Sequence, residues 1–392
     1  VVQNTVKPII FCAYSPGGHR GVIEMAAAVA GGLDALRQRP FIASYPEPIS
    51  PLLYPRDVTE KVLTCARFGI PQIPGSAPQI GATAPVTVAG GIVLTIAEAL
   101  MGLVLAQLAA PGAPVLFGGS PTTFDMARGH MTYGAPETQL MFAGYAEVAQ
   151  TYGLPTWGLA GATDAKTPDA QAGIDATFSL LIQTLAGINI IHDIGYLDSG
   201  MVCSAEMLVM GNEICGLVKR FLRGVKIDDE TLATELIDAA GHGGHFLQSP
   251  HTLKHFRSEM WHSRLLVREP YDVWQGKGAK EMEARVKERL DEIMETHKPK
   301  ALNDNIVAQL AELRRHKRAL ITLLKQETPD LTAESRLEPL SLGQQALFFL
   351  HSLSPASAAY NVAASVRIAS PVDVDVMQHC FRTLISRHEA LR

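Results

Sequence analysis

An α/β fold of parallel βα units, closer to a barrel than to a doubly wound sheet, is what this sequence predicts, and three observations predict it. From residue 8 to about residue 200, short runs rich in β-branched residues alternate with longer segments of helical period. Each run is followed by a loop of Gly, Pro, Ser or Asp before the helix begins. The loops directly after the runs carry most of the side chains capable of chemistry. Repetition of strand, loop and helix gives parallel strands joined by helical crossovers. Functional side chains gathered after several successive strands suit a TIM-type (β/α)8 barrel.

The strand candidates are 8–13, 40–44, 70–73, 114–117, 154–159 and 188–191. Helical segments follow at 22–36, 58–68, 88–108, 136–152 and 170–185. Six strands do not close a barrel that needs eight, so either two units precede Val1 or the sheet is open. After Asp193 the pattern turns helical: 205–222 is amphipathic, 228–239 opens on an acidic turn, and 279–318 is dense in Glu, Lys and Arg at helical spacing. The polar stretch 328–339 has the texture of a linker, and beyond it come a helix at 342–353, an alternating strand at 361–368 and a helix at 373–391. The domain division expected is 1–318 for the incomplete barrel with its C-terminal helices, 319–336 for the linker and 337–392 for a small α+β piece.

A length of 392 residues bounds the answer at roughly two to three domains, or one large α/β domain with an appendage. Apolar residues at 47% and charged residues at 19% exclude a disordered chain or a coiled coil throughout. A net charge of −5 gives no general electrostatic reason to bind nucleic acid or an anionic membrane. The five cysteines are widely spaced, with no CxxC or CxxH unit, which points to a reducing, cytoplasmic compartment rather than a disulfide framework or zinc knuckle. The apolar run 92–110 is interrupted by Glu98 and Gln107 and reads as a buried core helix rather than a membrane span.

The segment 78–119, PQIGATAPVTVAGGIVLTIAEALMGLVLAQLAAPGAPVLFGG, resembles the trimethylamine methyltransferase family. The likeness continues through GATDAKTPDAQAG at 161–173, the segment 190–224 and GHFLQSPHTLKHFRSEMW at 244–261, and covers roughly residues 1–315. It implies an eight-stranded barrel lacking its N-terminal part here. It also implies transfer of a methyl group from a substrate nitrogen to the cobalt of cobalamin, held as a corrinoid by a separate partner protein. Relatives acting on trimethylamine carry pyrrolysine, and the standard residues of this chain place it nearer the branch acting on quaternary amines such as glycine betaine. A homo-oligomer is a further expectation.

The barrel rule selects Tyr14, Tyr45, Glu47, Gly118, Thr163, Asp164, Lys166, His192, Asp193 and Tyr196, all placed just after strand candidates. A permanent cation without N–H groups is held by aromatic faces and a nearby carboxylate, which makes Tyr14, Tyr45, Trp157 and Tyr196 the candidate cage and Glu47 its counter-charge. Each aromatic has ordinary packing as its alternative, and Glu47 has the capping of a turn. His192 and Asp193 form the candidate catalytic pair, the histidine addressing a substrate carboxylate or the corrinoid, or else satisfied by a backbone carbonyl. Asp164 and Lys166 contact substrate or bridge each other to order their loop. His242, His245, His251 and His255 lack the HExxH spacing of a zinc site, so no metal is expected.

The tail, LEPLSLGQQALFFLHSLSPASAAYNVAASVRI at 337–368 followed by RHEALR at its end, resembles the start of a condensation domain of nonribosomal peptide synthetases. The catalytic HHxxxDG of that family is not within it, so the resemblance implies a fragment of a synthetase carrying an inactive barrel as the alternative function.

Overall fold

In the computed structural model, residues 1–313 are described, and the linker and tail elements expected from 319 onward lie outside them. Residues 1–125 and 130–310 group into one unit, which contains all the elements below.

The chain opens with β1 (Ile9–Phe11), and Ser15 then caps α1 (Pro16–Ala30) by accepting from the Gly18 amide. Pro16 at the first helical position is preorganised for that start. The sequence places the helix later, at 22, because Gly17, Gly18 and Gly21 weaken its first turns. Gly31 and Gly32, both with positive φ, split off the short α2 (Leu33–Gln38). β2 (Ile42–Ser44) pairs with β1 in parallel register, Ile9 against Ile42, and α3 (Arg56–Phe68) returns over them.

The next two strand candidates are single parallel bridges rather than full ladders, Ser44 to Gln72 and Gln72 to Val115. Phe117 bridges in turn to Thr156, which leads into β6 (Trp157–Leu159). β6 pairs in parallel with β7 (Ile190–His192). All six strand positions expected from sequence are therefore neighbours in chain order and parallel. The connecting helices keep the same order: α3 packs on α4 (Val88–Ala109), α4 on α5 (Pro136–Thr151), α5 on α6 (Ala170–Leu185) and α6 on α7 (Ala205–Leu222). Among the described residues no further strand lies outside β1 or β7. The observed architecture is thus α/β, with strands and covering helices advancing together.

Five strands have no counterpart in the sequence reading. β3 (Gln79–Ile80), β4 (Thr122–Asp125) and β5 (His130–Thr132) form a small mixed sheet from the loops after the third and fourth parallel positions. β8 (Tyr196–Leu197) and β9 (Val202–Cys203) make a short antiparallel pair after β7. The helical part continues as α8 (Asp229–Leu232), α9 (Thr234–Ala240), α10 (Pro250–Glu259), α11 (Tyr271–Gly276) and α12 (Met282–Thr296), the last packing against α7.

Helix α4 corrects one expectation. By length and composition it could cross a bilayer. One side packs on α3, α5 and β3, and Gly91 and Gly102 permit the approach: a Cβ at Gly102 would fall 2.5 Å from Pro74 Cβ. The other side is not buried, since Val93, Met101, Val104 and Leu108 are exposed. Crossover helices bury a stripe rather than their whole circumference.

Candidate active site

Side chains from β6, from the end of β7 and from the loop after β2 meet in one group. Trp157 opens β6 and is 2% exposed. His192 ends the adjacent β7, and its ring stacks on the indole with centroids 4.0 Å apart at 17°. Tyr45, directly after β2, has its ring centroid 5.7 Å from that of the indole. Its hydroxyl lies 3.5 Å from Ser120 Oγ.

Asp193 follows His192 with φ of 75°, in the left-handed region that aspartate tolerates better than most residues. Neighbouring residues of an extended strand point to opposite faces. The turn at Asp193 instead brings its carboxylate to 2.6 Å from His192 Nδ1. Nδ1 is thereby the protonated nitrogen facing the acceptor, and Nε2 carries the free function of the ring. His192 Nε2 and Trp157 Nε1 are both buried without a protein hydrogen-bond partner. Unpartnered buried polar atoms are rare and call for an explanation such as a ligand or an ordered water.

Electrostatic coupling shows what else surrounds this pair. Glu47 keeps solvent contact at the mouth, yet the protein crowding it raises its carboxyl above the ordinary value, with His192 pulling it partly back. Burial pushes the Tyr45 phenol far up, and Glu47 adds to the effect. Cys12, after β1, is raised by desolvation and then by Glu47, while Lys61 opposes and Asp193 adds a smaller push. Tyr196 is raised first by its hydrogen bond to Cys203. Tyr133 is raised by burial, and then by Asp193, Glu47, Asp164 and Tyr196. Asp193 thus lies within electrostatic range of Tyr45, Tyr133 and Tyr196, and Glu47 within range of Tyr45, Tyr133 and His192.

The structure sorts the sequence candidates. Tyr45, Trp157, His192 and Asp193 are joined by ring contacts and a hydrogen bond, and Glu47 and Tyr196 lie within electrostatic range of them. Tyr14 does not join them: its side chain is fully exposed. Thr163 is buried and donates to Asp175 at 2.6 Å, and Gly118, with φ of 149°, lies where a Cβ would meet the Trp157 carbonyl at 2.8 Å. The expected bridge between Asp164 and Lys166 is absent. Asp164 accepts from the Tyr133 and Gly134 amides at 2.7 and 2.9 Å and from Ser199 Oγ at 2.7 Å. Lys166 pairs with Asp198 at 2.5 Å and donates to the Asp164 carbonyl at 2.9 Å. Residues two apart in this loop point in different directions, and each finds a partner from another segment. Tyr133 and Ser120 were missed by sequence reading because β4 and β5 carry them in from loops with no strand signature. Among the described residues no group of three or more His, Cys, Asp or Glu is placed to hold a metal ion.

The family model for trimethylamine methyltransferase (MTTB) matches residues 2–321, most of the chain. The chain belongs to the trimethylamine methyltransferase family. A trimethylamine methyltransferase MttB of Desulfitobacterium hafniense is 36% identical over 313 residues, covering 80% of this chain and 63% of the relative. A glycine betaine methyltransferase from another strain of that species is 34% identical over 310 residues, covering 79% of this chain and 64% of the relative. The MttB of Methanosarcina thermophila is 36% identical over 287 residues, covering 72% and 59%. The chain therefore spans about three-fifths of the length of these trimethylamine methyltransferase family members. Residues 335–392 match the condensation-domain model, outside both the family match and the described residues.

Proposed function

We propose that this chain forms the substrate cup of a methyltransferase acting on a quaternary ammonium compound of the glycine betaine kind. The methyl acceptor in this reading is the cobalt of a corrinoid carried by a separate protein, encountered as a co-substrate at the cup's mouth. The observation that carries the proposal is the stacked Trp157–His192 pair, with Nδ1 fixed by Asp193 and Nε2 left without a partner.

Each residue then has a task. Glu47, Tyr45, Tyr133 and Tyr196 supply the negative charge and aromatic surface that suit a trimethylammonium head. One face of Trp157 is covered by His192, so the indole serves as the wall that fixes the imidazole plane. His192 presents Nε2 to the polar end of the substrate while Asp193 holds Nδ1. Asp164 and Lys166 order the loops that frame the cup. Reduced cobalt supplies the electron pair that bonds the methyl carbon, and the C–N pair remains on nitrogen. The amine leaves neutral, so no protein acid is needed for departure. Binding that aligns nitrogen, carbon and acceptor contributes through orientation.

The sequential order of strands and helices supports a β/α barrel as the scaffold. Four cysteines in the described residues are free thiols, which fits a reducing cytoplasmic setting. The deciding experiment incubates the purified chain with glycine betaine and Co(I) cobalamin. A methylcobalamin spectrum is the expected result, and its failure to develop with any of several betaines overturns the proposal.

A further inference from the structure

Helix α4 has a single ionisable residue, Glu98, and buries it to 1% exposure. A lone buried carboxylate is costly unless its oxygens are fully engaged. Glu98 engages both. Oε1 accepts from the Leu52 amide at 2.7 Å, and Oε2 accepts from Ser50 Oγ at 2.9 Å and from Ser76 Oγ. Its hydrogen-bond partners among the described residues are all neutral. An apolar residue would serve the packing of α4 without this cost, so the carboxylate answers to something other than helix burial.

What it holds is the loop after β2. That loop begins with Tyr45 and Glu47 and is closed by a two-way backbone bridge between Ile49 and Leu53, both bonds 2.9 Å. Leu52, inside the closure, adopts φ of 58°, a conformation a branched side chain resists. The Glu98 carboxylate binds the amide of that same residue. Ser76, its third partner, belongs to the loop after the next strand position, and the Ser76 carbonyl accepts from the Ser120 amide at 2.8 Å. Ser120 in turn is the neighbour of the Tyr45 hydroxyl. Glu98 thereby ties together the loops after two consecutive strand positions, and the Ser76 backbone links them to the loop after the next.

We infer that Glu98 is a positioning residue: it fixes the 45–54 loop so that Tyr45 and Glu47 stand over Trp157 and His192. The inference rests on the proposed function only for the identity of the ligand. The test uses the full chain and two readouts, hydrogen exchange of the loop amides and calorimetric binding of glycine betaine. Glu98→Gln leaves one acceptor oxygen and turns an N–H₂ toward donors. It is expected to speed exchange at Ile49, Leu52 and Leu53 at least tenfold, with α7 amides unchanged, and to weaken betaine binding about tenfold. In turnover the loss falls on KM more than on kcat. Wild-type exchange in the loop, or faster exchange there with wild-type affinity, overturns the inference. If Glu98→Gln does not fold, Ser50→Ala removes one donor from the loop side and should move exchange and affinity the same way by a few fold; no movement overturns it. Absence of betaine binding by the parent chain would count against the proposed substrate, while loop exchange would still decide the role of Glu98.

Discussion

The histidines of the parallel-strand half and those of the helical half are the same residues used in opposite ways. His19 and His192 are held behind strands and rings, each with one ring nitrogen buried and unpartnered. His19 gives Nε2 to Ser44 at 2.8 Å and lies 5.3 Å from the Phe11 ring. His251 and His255, one turn apart on α10, have ring centroids 4.4 Å apart, tilted by 43°, and both spend Nε2 on Glu230, at 3.0 Å to its carbonyl and 3.2 Å to its carboxylate. Lys254 binds the same carboxylate. The second cluster is an ion network in which both Nε2 atoms are engaged. The first keeps a buried ring nitrogen without a partner, and that difference separates a candidate site from a surface.

Four measurements sharpen or break this contrast. The largest effect expected is at the wall of the first cluster: Trp157→Ala should destabilise the chain by roughly 3–5 kcal/mol in urea unfolding, as removal of a fully buried indole does. Trp274→Ala on α11 should cost much less, and equal losses would remove the distinction. Next comes acid. Burial, aided by Lys61 and Arg20, lowers His19 from 6.5 to about 4. Because the folded form stays neutral while the unfolded form protonates, stability is full above about pH 6.5 and falls as pH drops toward 4, by about 3 kcal/mol in all. His19→Gln should flatten that slope, and an unchanged slope would show that other groups set it.

A smaller effect is expected at the pair itself. Asp193→Asn keeps the left-handed turn but withdraws the charge from His192, and betaine turnover should fall roughly 10- to 100-fold, the value of one charged hydrogen bond. His255→Ala should leave turnover within about twofold. The smallest is Glu230→Gln, whose carboxyl is held below its ordinary value chiefly by Lys254 and then His255. No change in the unfolding midpoint at physiological salt is expected there, because exposed ion pairs are screened. A clear loss would give the α10 cluster a structural weight that its exposure denies.

Much of the scaffold was legible because it rests on local chemistry. The helix at 205–222 is α7 as expected, its start fixed by Ser204 capping the Met207 amide. The runs at 40–44 and 154–159 contain β2 and β6, and the run at 188–191 overlaps β7. The small sheet of β3 to β5 was not legible, since Thr122 to Thr132 has no alternating apolar pattern and pairs only because the loops meet. Of the residues read from strand ends, Tyr45, His192 and Asp193 lie beside Trp157, whereas Asp164 and Lys166 take partners from other segments and Tyr14 stands apart. Its strand-end position gave no hint that the side chain would turn to solvent.

By itself, the sequence determined the succession of strands and helices, the family and the adjacency of His192 to Asp193, because period, caps and motif spacing are properties of neighbouring residues. Only the tertiary structure decided that Trp157 would face His192, that Asp164 and Lys166 would take partners from other segments, and that Glu98 would reach across to the loop bearing Glu47. Those contacts join residues that are about 30 to 50 positions apart, and they exist only once parallel strands align their ends.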